Sequence, residues 1–145
     1  MKIGLPDAHI DYIFLGKKLG ARSDDPAHFA DGRVSYRLLA KNPIFQEGLQ
    51  ALLRMARDAR VCIMCAEKDP LDCHRMLLVC RHLRNQPVDI RHILADGSVE
   101  THQDTEKRLI RQTGLDQPDL FAPPADLVER AYDLQSEAIV RSSKK

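Results

Sequence analysis

Residues 60–95 read RVCIMCAEKDPLDCHRMLLVCRHLRNQPVDIRHILA, and the way this stretch divides decides the fold expected of the chain. RVCIMCA (60–66) is short, apolar and without periodicity, the pattern of a strand covered on both faces. DPLDCHRMLLVCRHLRN (69–85) opens on a helix-start pair, with Asp69 as the cap and Pro70 as the first helical residue. VDIRHILA (88–95) reads as a second strand, stopped by a turn at Asp96-Gly97. Strand, helix and strand over 60–95 make a compact βαβ unit, which predicts parallel strands joined by a right-handed crossover.

Upstream, HIDYIFLG (9–16) alternates apolar and polar residues at its start and predicts another short strand. GKKLGARSDDPAHFADGR (16–33) is rich in glycine, aspartate and charge, as an exposed loop is. A short helix is expected over 34–41. NPIFQEGLQALLRMARDA (42–59) predicts a longer one, capped by Asn42, begun by Pro43 and apolar along Ile44, Phe45, Leu49, Leu52, Leu53 and Ala56. Downstream, 102–113 reads as a helix, 114–126 as a proline-bearing connector, 125–140 as a last amphipathic helix and RSSKK (141–145) as a frayed tail. The expected class is α/β: a single three-layer domain over 1–145 with a mostly parallel sheet.

Composition narrows the partners. The chain has 145 residues, enough for one substantial core. Lys plus Arg number 22 against 21 acids, a formal charge of +1, so nucleic acid is not indicated as a partner. No apolar run reaches the ~20 residues that cross a bilayer, and MKIGLPDAHIDY (1–12) lacks the apolar core of a signal peptide. Without a secretory signal, the four cysteines read as reduced thiols in a cytoplasmic protein.

The chemistry concentrates in MCAEKDPLDCHR (64–75). Cys65 ends the expected strand, and Glu67 lies just beyond it. In open α/β sheets ligands bind beyond the carboxyl ends of the strands, where this segment aims its polar groups. Cys73, His74 and Arg75 follow one turn into the expected helix. His74 and Arg75 favour thiolate at Cys73, while Asp69 and Asp72 oppose it. Alternatively Cys73 is a small core residue, sharing a face with Met76, Leu77 and Cys80. Arg75 in a first helical turn opposes the dipole and needs compensation. Either Glu67, Asp69 or Asp72 supplies it, or Arg75 and free backbone N–H groups hold an anion. Cys65, Glu67, Cys73 and His74 are the catalytic candidates, through thiol or acid–base chemistry. Cys62 and Cys65 spell C-x-x-C, but strand geometry sends their side chains to opposite faces and disqualifies the pair as a zinc knuckle or dithiol. A metal held by Cys65, Cys73 and His74 would need further ligands from elsewhere, so no metal and no cofactor is assigned.

The stretch MCAEKDPLDCHRMLLVCRHL (64–83), with HILADGSVETHQDTEKRLI (92–110), resembles the domain-of-unknown-function family 488 of small bacterial and archaeal proteins. Its hallmark is C-A-E, a proline-bearing turn, then C-H-R: here Cys65-Ala66-Glu67, Pro70 and Cys73-His74-Arg75. YIFLGKKLGARSDDP (12–26) is similar to its tyrosine-bearing strand and L-G-x-x-L-G-x-R loop, and FQEGLQALL (45–53) also fits. The resemblance spans most of 10–111. It implies that Arg22 and Tyr12 join Arg75 as ligand-binding residues near the cysteines, and it nominates Glu100 or His102 on DGSVETH (96–102) for the crevice. Read by themselves, Glu100 and His102 are residues of a solvated hairpin edge. The family's usual first strand–helix–strand segment lies upstream of what this chain shows. A shortened sheet or a partner chain is therefore expected, and with it a homo-oligomer.

Three readings of the site follow. One is an enzyme acting on a small anionic or nucleotide-like substrate. Another is a non-catalytic module that binds such a ligand. The last is a purely structural buried polar network tying strand, loop and helix together.

Overall fold

The computed structural model describes residues 5–116 and 124–142. Its elements are α1 (Gly16–Leu19), β1 (Phe29–Ala30), β2 (Arg33–Val34), α2 (Tyr36–Leu39) and α3 (Pro43–Asp58), then α4 (Arg81–Leu83), β3 (Arg91–Ile93), β4 (Val99–Thr101), α5 (His102–Gln112) and α6 (Pro124–Ser142). Most of the connector expected at 114–126, and the end of the expected tail, lie outside the described residues.

The α/β expectation is overturned. The described strands form two separate two-stranded antiparallel pairs, β1 with β2 and β3 with β4. The parallel three-layer sheet and the βαβ unit at 60–95 are absent among the described residues. Residues 88–95 satisfy their backbone locally: β3 folds back through Asp96-Gly97 and pairs Arg91 with Thr101, His92 with Glu100 and Ile93 with Val99. Gly97 takes the positive φ of 84° that this turn needs. The other hairpin turns at Asp31 and Gly32, both at positive φ, as a tight two-residue hairpin requires. Residues 10–15 and 60–65, both expected as strands, have no ladder partner among the described residues. Their apolar side chains stay largely in water: Ile13 is 59% exposed, Phe14 61% and Met64 60%.

The second helix expected in the deciding stretch also breaks. Asp69 does cap, accepting from the Leu71 N–H at 2.8 Å, but the turn it starts is a 3₁₀ turn of three residues, Pro70–Asp72. Cys73 is extended (φ −127°, ψ 138°), and the chain re-enters helix as a π-helical segment over Arg75–Cys80 that runs into α4. π-Helical turns are rare and often sit beside functional sites. From Met76 on this segment is apolar all round, with Met76, Leu77, Leu78, Val79 and Cys80 all buried, as is Leu83 at the end of α4, so it forms the centre of the core rather than one covered face. α6 packs on it and on α5.

The other helical expectations hold. Asn42 accepts from the Ile44 N–H at 2.8 Å, Pro43 opens α3, and Phe45, Leu49 and Leu52 are buried. Gly48 lets α1 lie directly on α3: a Cβ there would stand 2.7 Å from Cδ2 of Leu19. Thr101 caps α5 through the Asp104 N–H, and α6 covers the expected last helix.

Candidate functional site

The break at Cys73 builds the site. Because residue 73 is extended, its thiol turns back toward the end of the 60–66 stretch instead of following a helix face. One sulfur, one carboxylate oxygen, one imidazole nitrogen and a second sulfur, from Cys65, Glu67, His74 and Cys73, all lie within 4.8 Å of one another. Sγ of Cys65 stands 2.6 Å from Oε2 of Glu67 and 3.3 Å from Nδ1 of His74. Sγ of Cys73 lies 3.5 Å from the same Glu67 oxygen. Cys73 is fully buried, Cys65 and His74 are half-buried, and Glu67 is exposed.

Two anchors hold the loop that carries these groups. Arg108 on α5 grips both Asp69 oxygens, at 2.8 and 3.1 Å, and reaches Glu100 at 3.0 Å. Gln135 on α6 donates to the Leu71 carbonyl at 2.9 Å. Arg75 closes the loop from inside, donating through Nε to Sγ of Cys73 at 3.1 Å and through its terminal nitrogen to the Glu67 carbonyl at 2.7 Å. The backbone N–H of residue 75 also points at the Cys73 sulfur, at 3.3 Å.

The electrostatics follow from crowding. Burial, then the Glu67 hydrogen bond and the Cys73 thiol, push Cys65 up to about 12. The hydrogen bond from Cys65 leads in holding the Glu67 carboxyl below its usual range. Burial lowers His74, helped by Arg75 and opposed by Glu67. The hydroxyl of Tyr36, on α2, is pushed up to about 12 by burial and then by Cys73, Glu67 and Cys65.

The four residues expected to do chemistry therefore converge. The ligand-binding expectations fare differently. Among the described residues Arg75 makes no ion pair; it donates to the Cys73 thiol and, at an exposed position, to the Glu67 carbonyl. Arg22 and Tyr12 are exposed and make no hydrogen bond or ion pair with the cluster among the described residues. Cys62 is exposed and outside it. Glu100 serves Arg108 and Thr105, and His102 is buried, not on a solvated edge.

A model of the family described as Domain of unknown function DUF488 matches residues 1–81. The chain belongs to that family. No curated protein and no solved structure matches it. All four converging side chains and Arg75 fall inside the DUF488 match; the anchors Arg108 and Gln135 fall outside it.

A second polar cluster went unread in the sequence of this DUF488 chain. His92 and His102 meet at 2.9 Å, and Tyr132 on α6 stands 3.2 Å from His102 while donating to Glu106 at 3.0 Å. Arg84 reaches Glu106 at 2.7 Å and Glu129 at 3.3 Å. These partners come from β3, α5, α6 and the end of α4, so no local spacing signals them. Burial, then His102, lowers His92 to about 4. A histidine depressed in this way refuses a proton that the unfolded chain accepts below its ordinary value of 6.5. Its contribution is complete above that pH and is lost as pH falls toward 4. From pH 7 to pH 5 the loss is expected to be about 2 kcal/mol. Urea melts at the two pH values measure it, and His92→Gln should reduce the difference by about that amount.

Proposed function

We propose that the protein binds a divalent metal ion of the zinc type through Cys65, Cys73, His74 and Glu67. One observation carries the reading: two sulfurs, an imidazole nitrogen and a carboxylate oxygen all lie within 4.8 Å of one another. Four zinc–donor bonds of about 2.0–2.3 Å set donors roughly 3.3–3.8 Å apart. The widest pairs must close and the Cys65–Glu67 pair, at 2.6 Å, must open to reach that spacing. Soft thiolates with imidazole select zinc over calcium or magnesium, which prefer all-oxygen sites.

The charges also close. Two thiolates and a carboxylate around a dication leave one negative charge, and the Arg75 guanidinium on Sγ of Cys73 offsets it. A cation aimed at a sulfur suits a metal thiolate better than an external anion. Glu67 is the exposed corner and the exchangeable one. A small anionic ligand reaching the metal would take its place, which keeps Lewis-acid chemistry open at this corner.

Reduced, chelator-treated protein titrated with cobalt(II) should bind one equivalent, show thiolate-to-cobalt absorption in the near ultraviolet, and yield the cobalt to zinc. Zinc should raise the melting temperature in proportion to occupancy. No thiolate band together with no melting shift would end the metal reading. Binding should also weaken toward acid pH, because protons compete for both sulfurs and the imidazole.

A further inference from the structure

Away from the cysteines, β2, α2 and α6 enclose a cavity of about 330 Å³. Among the described residues, two buried side-chain polar atoms have no hydrogen-bond partner, Nε of Arg33 and Oγ of Ser136, and both residues line this cavity. Ser136 is only 7% exposed. An orphaned buried donor is costly, and native structures keep few of them. Each atom is sealed from water behind the wall of the same cavity, so a small turn of the two side chains would bring both donors to one acceptor.

The surrounding charges give that acceptor its sign: Arg33, Arg37, Arg81 and Arg141 line the cavity against Asp31, Asp133 and Glu137. Asp133 is shared by Arg37 and Arg81, and Arg81 also holds Glu129. Glu137 is taken by Arg141. The carboxylates on the α6 side are thus committed to other arginines, and Arg33 has no ion pair among the described residues. Val34, Val140 and the Tyr36 ring supply apolar wall. We infer that this cavity binds a small organic anion, with its oxyanion head on Arg33 and Ser136 and its apolar body against Val34 and Val140. A carboxylate and a phosphate monoester share the chemistry required, and the volume suits a ligand of modest size. This site is independent of the metal reading: it shares none of the four metal donors.

Calorimetric titration of the full chain with phenyl phosphate, and separately with benzoate, tests the proposal and tells the two heads apart. At least one probe should bind saturably with one-to-one stoichiometry. Arg33→Met should weaken it about tenfold or more, and Ser136→Ala severalfold. Without ligand, Ser136→Ala should melt no lower than the parent, because its hydroxyl has nothing to lose. If Arg33→Met perturbs the circular dichroism, Arg33→Lys replaces it: lysine keeps the charge but loses the planar fork, so binding should still fall. Failure of both probes to saturate, affinity indifferent to Arg33, or a clear drop in the ligand-free melting temperature of Ser136→Ala would each overturn the inference.

Discussion

Cys73→Ser is expected to lower zinc affinity by more than about a hundredfold and to remove the melting shift that zinc gives the parent protein. Losing a supporting partner of a ligand commonly costs 10–100-fold, and losing a ligand itself costs more. Serine keeps the shape but puts a hard, scarcely ionised hydroxyl where a soft thiolate would bond. The position also removes any alternative donor: Cys73 is fully buried, and its sulfur faces Glu67 and Arg75. Arg75→Ala makes a graded companion, expected in the 10–100-fold range because Arg75 touches the sulfur and not the metal. Comparing melts with and without zinc separates the effects. A purely structural network would lower both melts equally in Cys73→Ser, whereas a metal centre lowers the zinc-loaded one far more.

The other large effect is expected far from the cysteines. Glu106→Gln should destabilise the fold by about 3 kcal/mol, read as a shift in the urea midpoint with little change in slope. Glu106 is buried and receives Arg84 at 2.7 Å, the Tyr132 hydroxyl at 3.0 Å and His102 at 3.4 Å. Burial alone would raise its pKa; His102 and Arg84 more than offset that and hold it at about 2. The carboxylate is therefore charged throughout the stable pH range. Among the described residues, glutamine leaves the half-buried Arg84 with Glu129, at 3.3 Å, as its remaining acid. It also presents an amide nitrogen to donors that require an acceptor. Tyr132 is fully buried, so its hydroxyl has no water to turn to. A midpoint unchanged from the parent would show that this network contributes nothing to stability.

The local reading succeeded wherever a few adjacent residues settle the matter. Asn42-Pro43 starts a helix because the cap and the proline act on their own turn. Asp96-Gly97 turns the chain because Gly97 alone accepts the positive φ. The apolar stretch 60–66 was different. Absence of periodicity says that a segment could be covered on both faces, but the covering residues must come from elsewhere. In this fold Val61 and Met64 remain exposed. The stretch at 69–85 misled for a related reason. The same Asp-Pro pair starts a 3₁₀ turn or an α-helix, and the anchoring of that turn by Arg108 and Gln135 lies 39 and 64 residues away in sequence.

From sequence alone came the identity of the chemical groups and their membership of one short segment: two thiols, the Glu67 carboxylate, an imidazole and a guanidinium between residues 65 and 75. That much is covalent and independent of fold. Tertiary structure alone decided that Cys73 leaves the helix, that its sulfur meets Cys65, Glu67 and His74 in one small cluster, and that Arg75 reaches back to the Cys73 sulfur. The reason is directional. Spacing along a chain fixes how far apart two side chains can be, while the dihedral angles at Cys73, set by packing against α5 and α6, fix where they point.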